Sequence, residues 1–159
     1  MEAKVLSFQR RLIQLRERYD YPMSEIYNMD ETPLTFDLPS DWTIDYAGKK
    51  DRKIKTNGAG KKRCSVVAAV TADGGKLPLN VIFRGKRKLG PSVMTPGCKF
   101  PVWVQPSAWN DEAGCIKWGR DTFPVRDDNS RRLLVWDSAN FHLCDDIKQF
   151  LAERNVDML

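Results

Sequence analysis

Two aspartates each follow a short apolar run that is typical of a β-strand. Asp30 follows residues 26–29, and Asp137 follows residues 133–136. In open α/β sheets the reactive groups lie beyond the carboxyl ends of the strands. If these strands are parallel neighbours, both carboxylates project from one edge, where they can bind a hard divalent cation such as Mg²⁺ through oxygen. A pair of such ions stabilises both the attacking and the leaving oxygen of a phosphodiester displacement.

The same two aspartates also suit a simpler structural role. Either carboxylate can accept a hydrogen bond from a backbone amide and so cap the turn or helix that follows it. Two isolated acids carry too little pattern to choose between capping and metal binding. Residue types alone therefore leave both interpretations open.

The helices around these strands follow from the spacing of apolar residues. Positions three and four apart predict a helix that ends at Pro22 at the latest, a second over about 109–120 and a third that begins at Asp145. A last strand is expected to start at Val156 and to be cut short. With the strands before each acid, this order of elements indicates a mixed α/β domain.

Residues 64–83 are predicted to form a β-hairpin. Two apolar runs flank the sequence Asp-Gly-Gly at 73–75, which is a strong turn signal. Because Pro78 lies within the second run and cannot donate a ladder hydrogen bond, we expect that strand at the edge of the sheet. The proline- and glycine-rich stretches 33–39 and 84–101 are predicted to be loops.

The overall composition indicates a single globular domain. Hydrophobic residues make up 42% and charged residues 30% of the 159 residues. A net charge of +5 favours an anionic partner, with nucleic acid first, although a mildly basic protein without such a partner has the same total. No stretch approaches the roughly 20 apolar residues of a membrane span, so we expect no membrane partner. The four cysteines form no close pair, which predicts free thiols of an intracellular protein rather than a zinc site.

The segment around Asp30 resembles a motif of a known family. Residues 28–33 (Asn-Met-Asp-Glu-Thr-Pro) look like the NxDET motif of pogo/Tigger-type transposases in the mariner superfamily. Residues 71–78 and 81–86 resemble the hairpin and following strand of that family, and residues 137–142 resemble its DSxxxH motif at the second acid. The motifs occur in the family's order, and the similarity runs from about residue 8 to the end of the chain.

This resemblance implies a fold and a site. The fold is ribonuclease-H-like, with a mixed sheet of order 3-2-1-4-5 in which strands 1 and 4 are neighbours and strand 3 lies at the edge. Asp30 and Asp137 are then the first and second catalytic acids, and they bind Mg²⁺ or Mn²⁺. No small-molecule cofactor is implied. His142 is expected beside the metal site, either as an auxiliary residue or as a structural hydrogen-bonding group.

The resemblance also implies that the chain is incomplete. The third acid of the family lies further downstream, and no residue after Asp137 matches its motif, so we expect an incomplete strand 5 and closing helix and a loss of catalysis. Residues 1–24 are taken as an N-terminal helix that leads into a partial endonuclease domain over 25–159. The implied protein is nuclear, binds DNA and ancestrally cut and joined DNA strands. The alternative is a domesticated module that binds nucleic acid or other protein chains without catalysis.

A basic stretch between the first two predicted strands is the candidate surface for DNA. Its basic residues are Lys49, Lys50, Arg52, Lys53, Lys55, Lys61, Lys62 and Arg63. These charges can hold phosphates near the acids, and binding would then weaken with salt. A solvated loop is the alternative interpretation. A second, shorter basic patch covers residues 84–88 and has the same two interpretations.

Two further expectations concern the direction in which side chains point. Neighbouring residues on a strand point to opposite faces, so Glu31 is expected to face away from Asp30 and not to share its metal ions. Trp118 and Trp136 lie in or beside apolar runs. They are predicted to pack in the core rather than to stack on bases.

Overall fold

The computed structural model describes residues 2–37, 46–48, 59, 62–86 and 100–159. In this part of the chain, three helices and six strands follow one another, with a short 3₁₀ turn before the first strand. The elements are α1 (Glu2–Arg18), β1 (Ile26–Thr35), β2 (Arg63–Thr71), β3 (Asn80–Arg84), β4 (Val102–Gln105), α2 (Glu112–Thr122), β5 (Arg132–Val135), α3 (Asp145–Ala152) and β6 (Val156–Met158).

The strands form one mixed sheet in the order β4-β3-β2-β1-β5-β6. β1 pairs antiparallel with β2 and parallel with β5, and β5 pairs parallel with β6. Without β4, this is the order 3-2-1-4-5, so the prediction of a ribonuclease-H-like mixed sheet is confirmed. The hairpin is confirmed as well, because β2 and β3 are antiparallel and Gly74 takes the positive φ of 91° that its turn requires.

The prediction that the second hairpin strand lies at the edge is wrong. β3 begins at Asn80, so Pro78 precedes the strand and occupies no position in its ladder. β4 covers the free side of β3 with a parallel pairing that runs from Val81 and Val102 to Arg84 and Gln105. The edge strand is therefore β4, which has only four residues and follows a proline-rich segment that showed no strand pattern.

The predicted loop over 33–39 is wrong for its first three residues, because β1 continues to Thr35, and residues 38–39 lie outside the described residues. Pro33 pairs with Ser65 of β2. On its other side β1 pairs with β5 only as far as Asn28, so among the described residues the strand has a single neighbour at the proline. A proline without an N–H group is tolerated where one side of a strand is unpaired.

The residues at the N-termini of α2 and α3 explain where these helices begin. α2 is confirmed, and it starts at Glu112 because the Asp111 carboxylate accepts a hydrogen bond from the Gly114 amide at 2.8 Å. α3 begins at Asp145, as the acidic residues in its first turn predicted. None of the described helices is both long and apolar enough to cross a membrane.

Helices cover both faces of the sheet, and neighbouring side chains of β5 pack against helices on opposite faces. Leu134 packs on the side of α2 and α3, whereas its neighbour Leu133 packs with Leu15 of α1. The larger cluster consists of Met29, Val67, Ala69, Ile82, Cys115, Trp118, Phe123, Leu134, Ile147, Leu151 and Val156. Trp118 is 2% exposed and Trp136 packs against the same cluster, which confirms their prediction as core residues.

A polar clamp joins the segment after α1 to the last strand. The Asp157 carboxylate of β6 accepts hydrogen bonds from the Tyr21 hydroxyl at 2.6 Å and from Nε of Arg131 at 2.7 Å. Burial and then the bond to Asp157 raise the pKa of Tyr21 above its usual value. The clamp therefore ties three separate parts of the chain together next to β5.

Candidate metal centre

The register between β1 and β5 determines where the two aspartates lie. The strands are parallel, and their last paired residues are Asn28 and Val135. Asp30 and Asp137 each lie two residues beyond that pair. β1 continues to Thr35 in its pairing with β2, so Asp30 lies within that strand, whereas Asp137 lies two residues past the end of β5. Two acids that are far apart in the sequence therefore occupy corresponding positions just beyond the paired part of β1 and β5.

In each aspartate, one carboxylate oxygen accepts hydrogen bonds from the protein. Oδ1 of Asp30 accepts a hydrogen bond from the Glu31 amide at 2.8 Å. Oδ1 of Asp137 accepts one from the Ala139 amide at 3.1 Å. Both side chains are exposed, and within the described residues no hydrogen bond or ion pair engages Oδ2 of either one. The carboxylates thus act as local caps and keep a second oxygen open to solvent.

This donor set fits a hard divalent cation. Mg²⁺ and Mn²⁺ prefer oxygen ligands, and Mg²⁺ in particular retains several water molecules when one or two carboxylates bind it. Exposed aspartates with a free oxygen each, at corresponding positions of adjacent strands, supply ligands of that type. A buried, fully hydrogen-bonded pair would not.

The buried ring of His142 is hydrogen-bonded to the carboxylate of Asp137. Its ring is 1% exposed and stacks on Trp136 with the ring centroids 4.0 Å apart and the planes 6° apart. Nδ1 lies 2.7 Å from Oδ1 of Asp137. An ionised carboxylate only accepts hydrogen bonds, so Nδ1 carries the proton and donates it. His142 therefore lies beside the second acid, and its stacked ring fixes the position of that carboxylate.

Glu31 reaches the same histidine from β1. Its side chain is 11% exposed, and Oε1 accepts a hydrogen bond from Nδ2 of Asn110 at 2.7 Å. The distance from Oε1 to Nε2 of His142 is 3.8 Å, which is an ion-pair separation rather than a hydrogen bond. Glu31 follows the buried side of β1 with Met29, whereas Asp30 is exposed.

A cysteine completes a buried group of three around this contact. One ligand atom each from Glu31, Cys115 and His142 lie within 4.8 Å of one another, and we call these residues the buried cluster. Nδ2 of Asn110 also donates to Sγ of Cys115, at 3.2 Å. Burial, followed by the nearby Glu31 and Asp111 charges, raises the pKa of the Cys115 thiol. No sequence pattern signals this cluster, because its members lie on β1, on α2 and in the turn before α3.

Opposing effects act on the charge of His142. Burial lowers its pKa, but the carboxylates of Glu31 and Asp137 on either side of the ring outweigh burial, and the net pKa is raised. The surroundings of the His142 ring therefore favour its positively charged form.

Two of the eight basic residues predicted to contact DNA can be placed. Lys62 and Arg63 are exposed, and with Arg84 and Ser107 they line a groove of about 520 Å³. The Arg63 guanidinium lies 5.2 Å from the ring centroid of Trp109. The six others lie outside the described residues: Lys49, Lys50, Arg52, Lys53, Lys55 and Lys61. Of the shorter basic patch, residues 87–88 also lie outside them.

Comparison with known sequences finds two similar mammalian proteins over the whole chain. The "Pogo transposable element with KRAB domain" of mouse, and that of human, are each 31% identical over 162 residues. The human "Pogo transposable element with ZNF domain" is 28% identical over 135 residues and matches 84% of the chain. The chain spans 26% of the length of the first two relatives. No family model matches the sequence.

Comparison of folds finds solved structures of the Mos1 transposase. The Mos1 strand transfer complex covers 94% of this chain with a TM-score of 0.57 at 13% identity, and the match covers 38% of that chain. The Mos1 mariner paired-end complex with Mn covers 94% with a TM-score of 0.56 at 14% identity, over 39% of that chain. A paired-end complex with Mg also matches, with a TM-score of 0.51. At these identities the likeness establishes the shared fold.

Proposed function

Because this chain is a DDE transposase domain of the pogo/mariner type, we propose that it binds DNA and supplies two metal-binding acids, Asp30 and Asp137, of a centre that cuts and joins DNA strands. The observation that carries this proposal is the parallel β1–β5 register, which gives the two acids corresponding positions just beyond the paired part of these strands. The geometry favours metal binding over capping alone, because each carboxylate keeps an oxygen that no described residue uses.

The residues around the acids have distinct tasks in this proposal. Asp30 and Asp137 would hold Mg²⁺ or Mn²⁺, the two metals named in the Mos1 complexes. The bound ions would supply positive charge to the phosphate oxygens of the scissile bond. His142 is a positioning residue, since it donates to Oδ1 of Asp137 and leaves Oδ2 free. The exposure of both acids gives a phosphodiester access to the site.

DNA would follow the basic groove that lies near the end of β1. Lys62, Arg63 and Arg84 present positive charge at the end of β1 that leads away from the acids. Their contacts would be to phosphates and would carry no sequence preference. Binding by this groove does not require a metal ion, so a module that binds DNA without cutting it is the second candidate function. A site of action on DNA also implies a nuclear location.

The experiment that tests the proposal measures DNA binding and DNA cutting by the same purified chain. Anisotropy of a fluorescein-labelled duplex reports binding, and relaxation of supercoiled plasmid with Mn²⁺ or Mg²⁺ reports nicking. We expect salt-sensitive binding, and any nicking should be abolished by Asp30→Asn and by Asp137→Asn. The matched control is Asp145→Asn, whose side chain is 97% exposed at the start of α3.

The outcomes separate the two candidate functions. Binding without nicking, unchanged by Asp30→Asn, would favour the non-catalytic module. Nicking that survives both substitutions would show that the acids are not the metal ligands. A chain that binds no duplex at low salt would contradict both functions.

A further inference from the structure

We propose that Glu31, Cys115 and His142 form a second metal site, which takes a zinc-like ion and is separate from the site of Asp30 and Asp137. The three ligand atoms lie within 4.8 Å of one another. All three side chains are largely buried, with Cys115 at 3% and His142 at 1% exposure. This inference does not depend on the proposed function, because it concerns the other side of β1 and different ligand types.

The hydrogen bonding of the two nitrogens of His142 leaves one of them available to a metal ion. Nδ1 donates its proton to Oδ1 of Asp137, at 2.7 Å. In a neutral ring Nε2 then carries a lone pair, and this buried atom has no hydrogen-bond partner among the described residues. Histidines that bind zinc commonly show this arrangement, with one nitrogen held by a carboxylate and the other directed at the metal. Nε2 of His142 lies 3.8 Å from Oε1 of Glu31.

The donor types identify the class of ion. Zinc accepts thiolate sulfur, imidazole nitrogen and carboxylate oxygen, whereas Mg²⁺ requires an all-oxygen shell. Sulfur and nitrogen ligands therefore separate this site chemically from the exposed aspartates. Three protein ligands leave one position of a tetrahedral ion for a water molecule.

Asn110 already occupies the position of an outer-shell residue. Its Nδ2 donates to Oε1 of Glu31 at 2.7 Å and to Sγ of Cys115 at 3.2 Å. Hydrogen bonds to metal-bound carboxylates and thiolates orient these ligands and balance their negative charge. One amide thus holds two of the three proposed ligands in place.

Binding changes the protonation of the site in a simple way. Cys115 gives up its thiol proton to solvent, and the thiolate sulfur, the Glu31 carboxylate and Nε2 of His142 each donate an electron pair to the ion. Where Nε2 carries a proton before binding, that proton also leaves to solvent.

Cobalt substitution tests the site directly. Co²⁺ bound by a thiolate gives an intense near-ultraviolet charge-transfer band, which oxygen ligands such as Asp30 and Asp137 cannot produce. We expect the unsubstituted chain to bind Co²⁺ with this band, to lose the band when one equivalent of Zn²⁺ is added, and to release protons on binding. Cys115→Ser should abolish the band. Cys64→Ser is the matched control, since Cys64 is also a buried free thiol but lies outside the buried cluster.

Thermal unfolding provides a second measurement on the unsubstituted chain. An ion that joins β1, α2 and the turn before α3 binds only the folded state, so saturating Zn²⁺ should raise the Tm by roughly 5 °C or more. The rise should disappear in Glu31→Gln, which removes a ligand charge and keeps an acceptor for Asn110. A charge-transfer band that persists in Cys115→Ser would overturn the proposal. The absence of both the band and the Tm rise in the unsubstituted chain would overturn it without any variant.

Discussion

His142→Ala should weaken Mn²⁺ binding at the exposed aspartates, although His142 itself is not one of the proposed ligands there. In the structure its Nδ1 donates to Oδ1 of Asp137 at 2.7 Å, and Trp136 stacks on the ring at 4.0 Å. Without the ring, the Asp137 side chain keeps, among the described residues, only the longer bond from the Ala139 amide at 3.1 Å and regains rotational freedom. The loss of an outer-shell partner of this kind lowers metal affinity by about 10- to 100-fold.

That range corresponds to about 1.4–2.7 kcal/mol of binding free energy. Calorimetric titration of Mn²⁺, or the fraction of free Mn²⁺ seen by electron paramagnetic resonance, measures it. Leu143→Ala is the matched control, since Leu143 is the next residue in the same turn and is 43% exposed. An unchanged Mn²⁺ affinity in a folded His142→Ala chain would refute the positioning role of His142.

Three further predictions concern the clamp, the groove and the helix interface. Tyr21→Phe should lower the free energy of unfolding by about 1–2 kcal/mol in urea, because it leaves Asp157 without a hydroxyl donor. Since folding raises the pKa of Tyr21, the unsubstituted chain should also lose stability as the pH rises above about 10, and it should do so more steeply than the variant. Lys62→Ala should lower the salt slope of DNA binding by about 1, and an unchanged slope would exclude a phosphate contact. Gly119→Ala should lower the free energy of unfolding by about 1–3 kcal/mol, because a Cβ at this position would lie 2.7 Å from the Phe150 ring. An unchanged free energy of unfolding would show that α3 can shift away from α2.

The sheet could largely be predicted from the sequence, and the exceptions have local causes. The apolar runs before Asp30 and Asp137 were long enough to indicate strands, and the resemblance supplied their adjacency. β4 was not recognised, because its four residues lie between Pro101 and Pro106, and prolines are typical of loops. The edge position inferred from Pro78 was wrong because the strand boundary falls two residues later, at Asn80.

The candidate site could be predicted only in part, for a physical reason. The resemblance assigned Asp30 and Asp137, and the strand alternation that set Glu31 apart from Asp30 agrees with its buried environment. The same alternation directs Glu31 toward α2, where it meets Cys115 and His142. Ligands on three different elements come together only through packing, so cysteine spacing could not reveal them.

The most direct test of the central claim is a double-mutant cycle of Mn²⁺ affinity for Asp30→Asn and Asp137→Asn. If the two carboxylates hold the same ion, either substitution alone should remove most of the affinity, and the double variant should lose little more. If they act separately, as two independent caps, the losses would add or neither would change Mn²⁺ binding. If the losses of Mn²⁺ affinity in folded variants are additive, or if there is no loss, the result would contradict a single ion shared by Asp30 and Asp137.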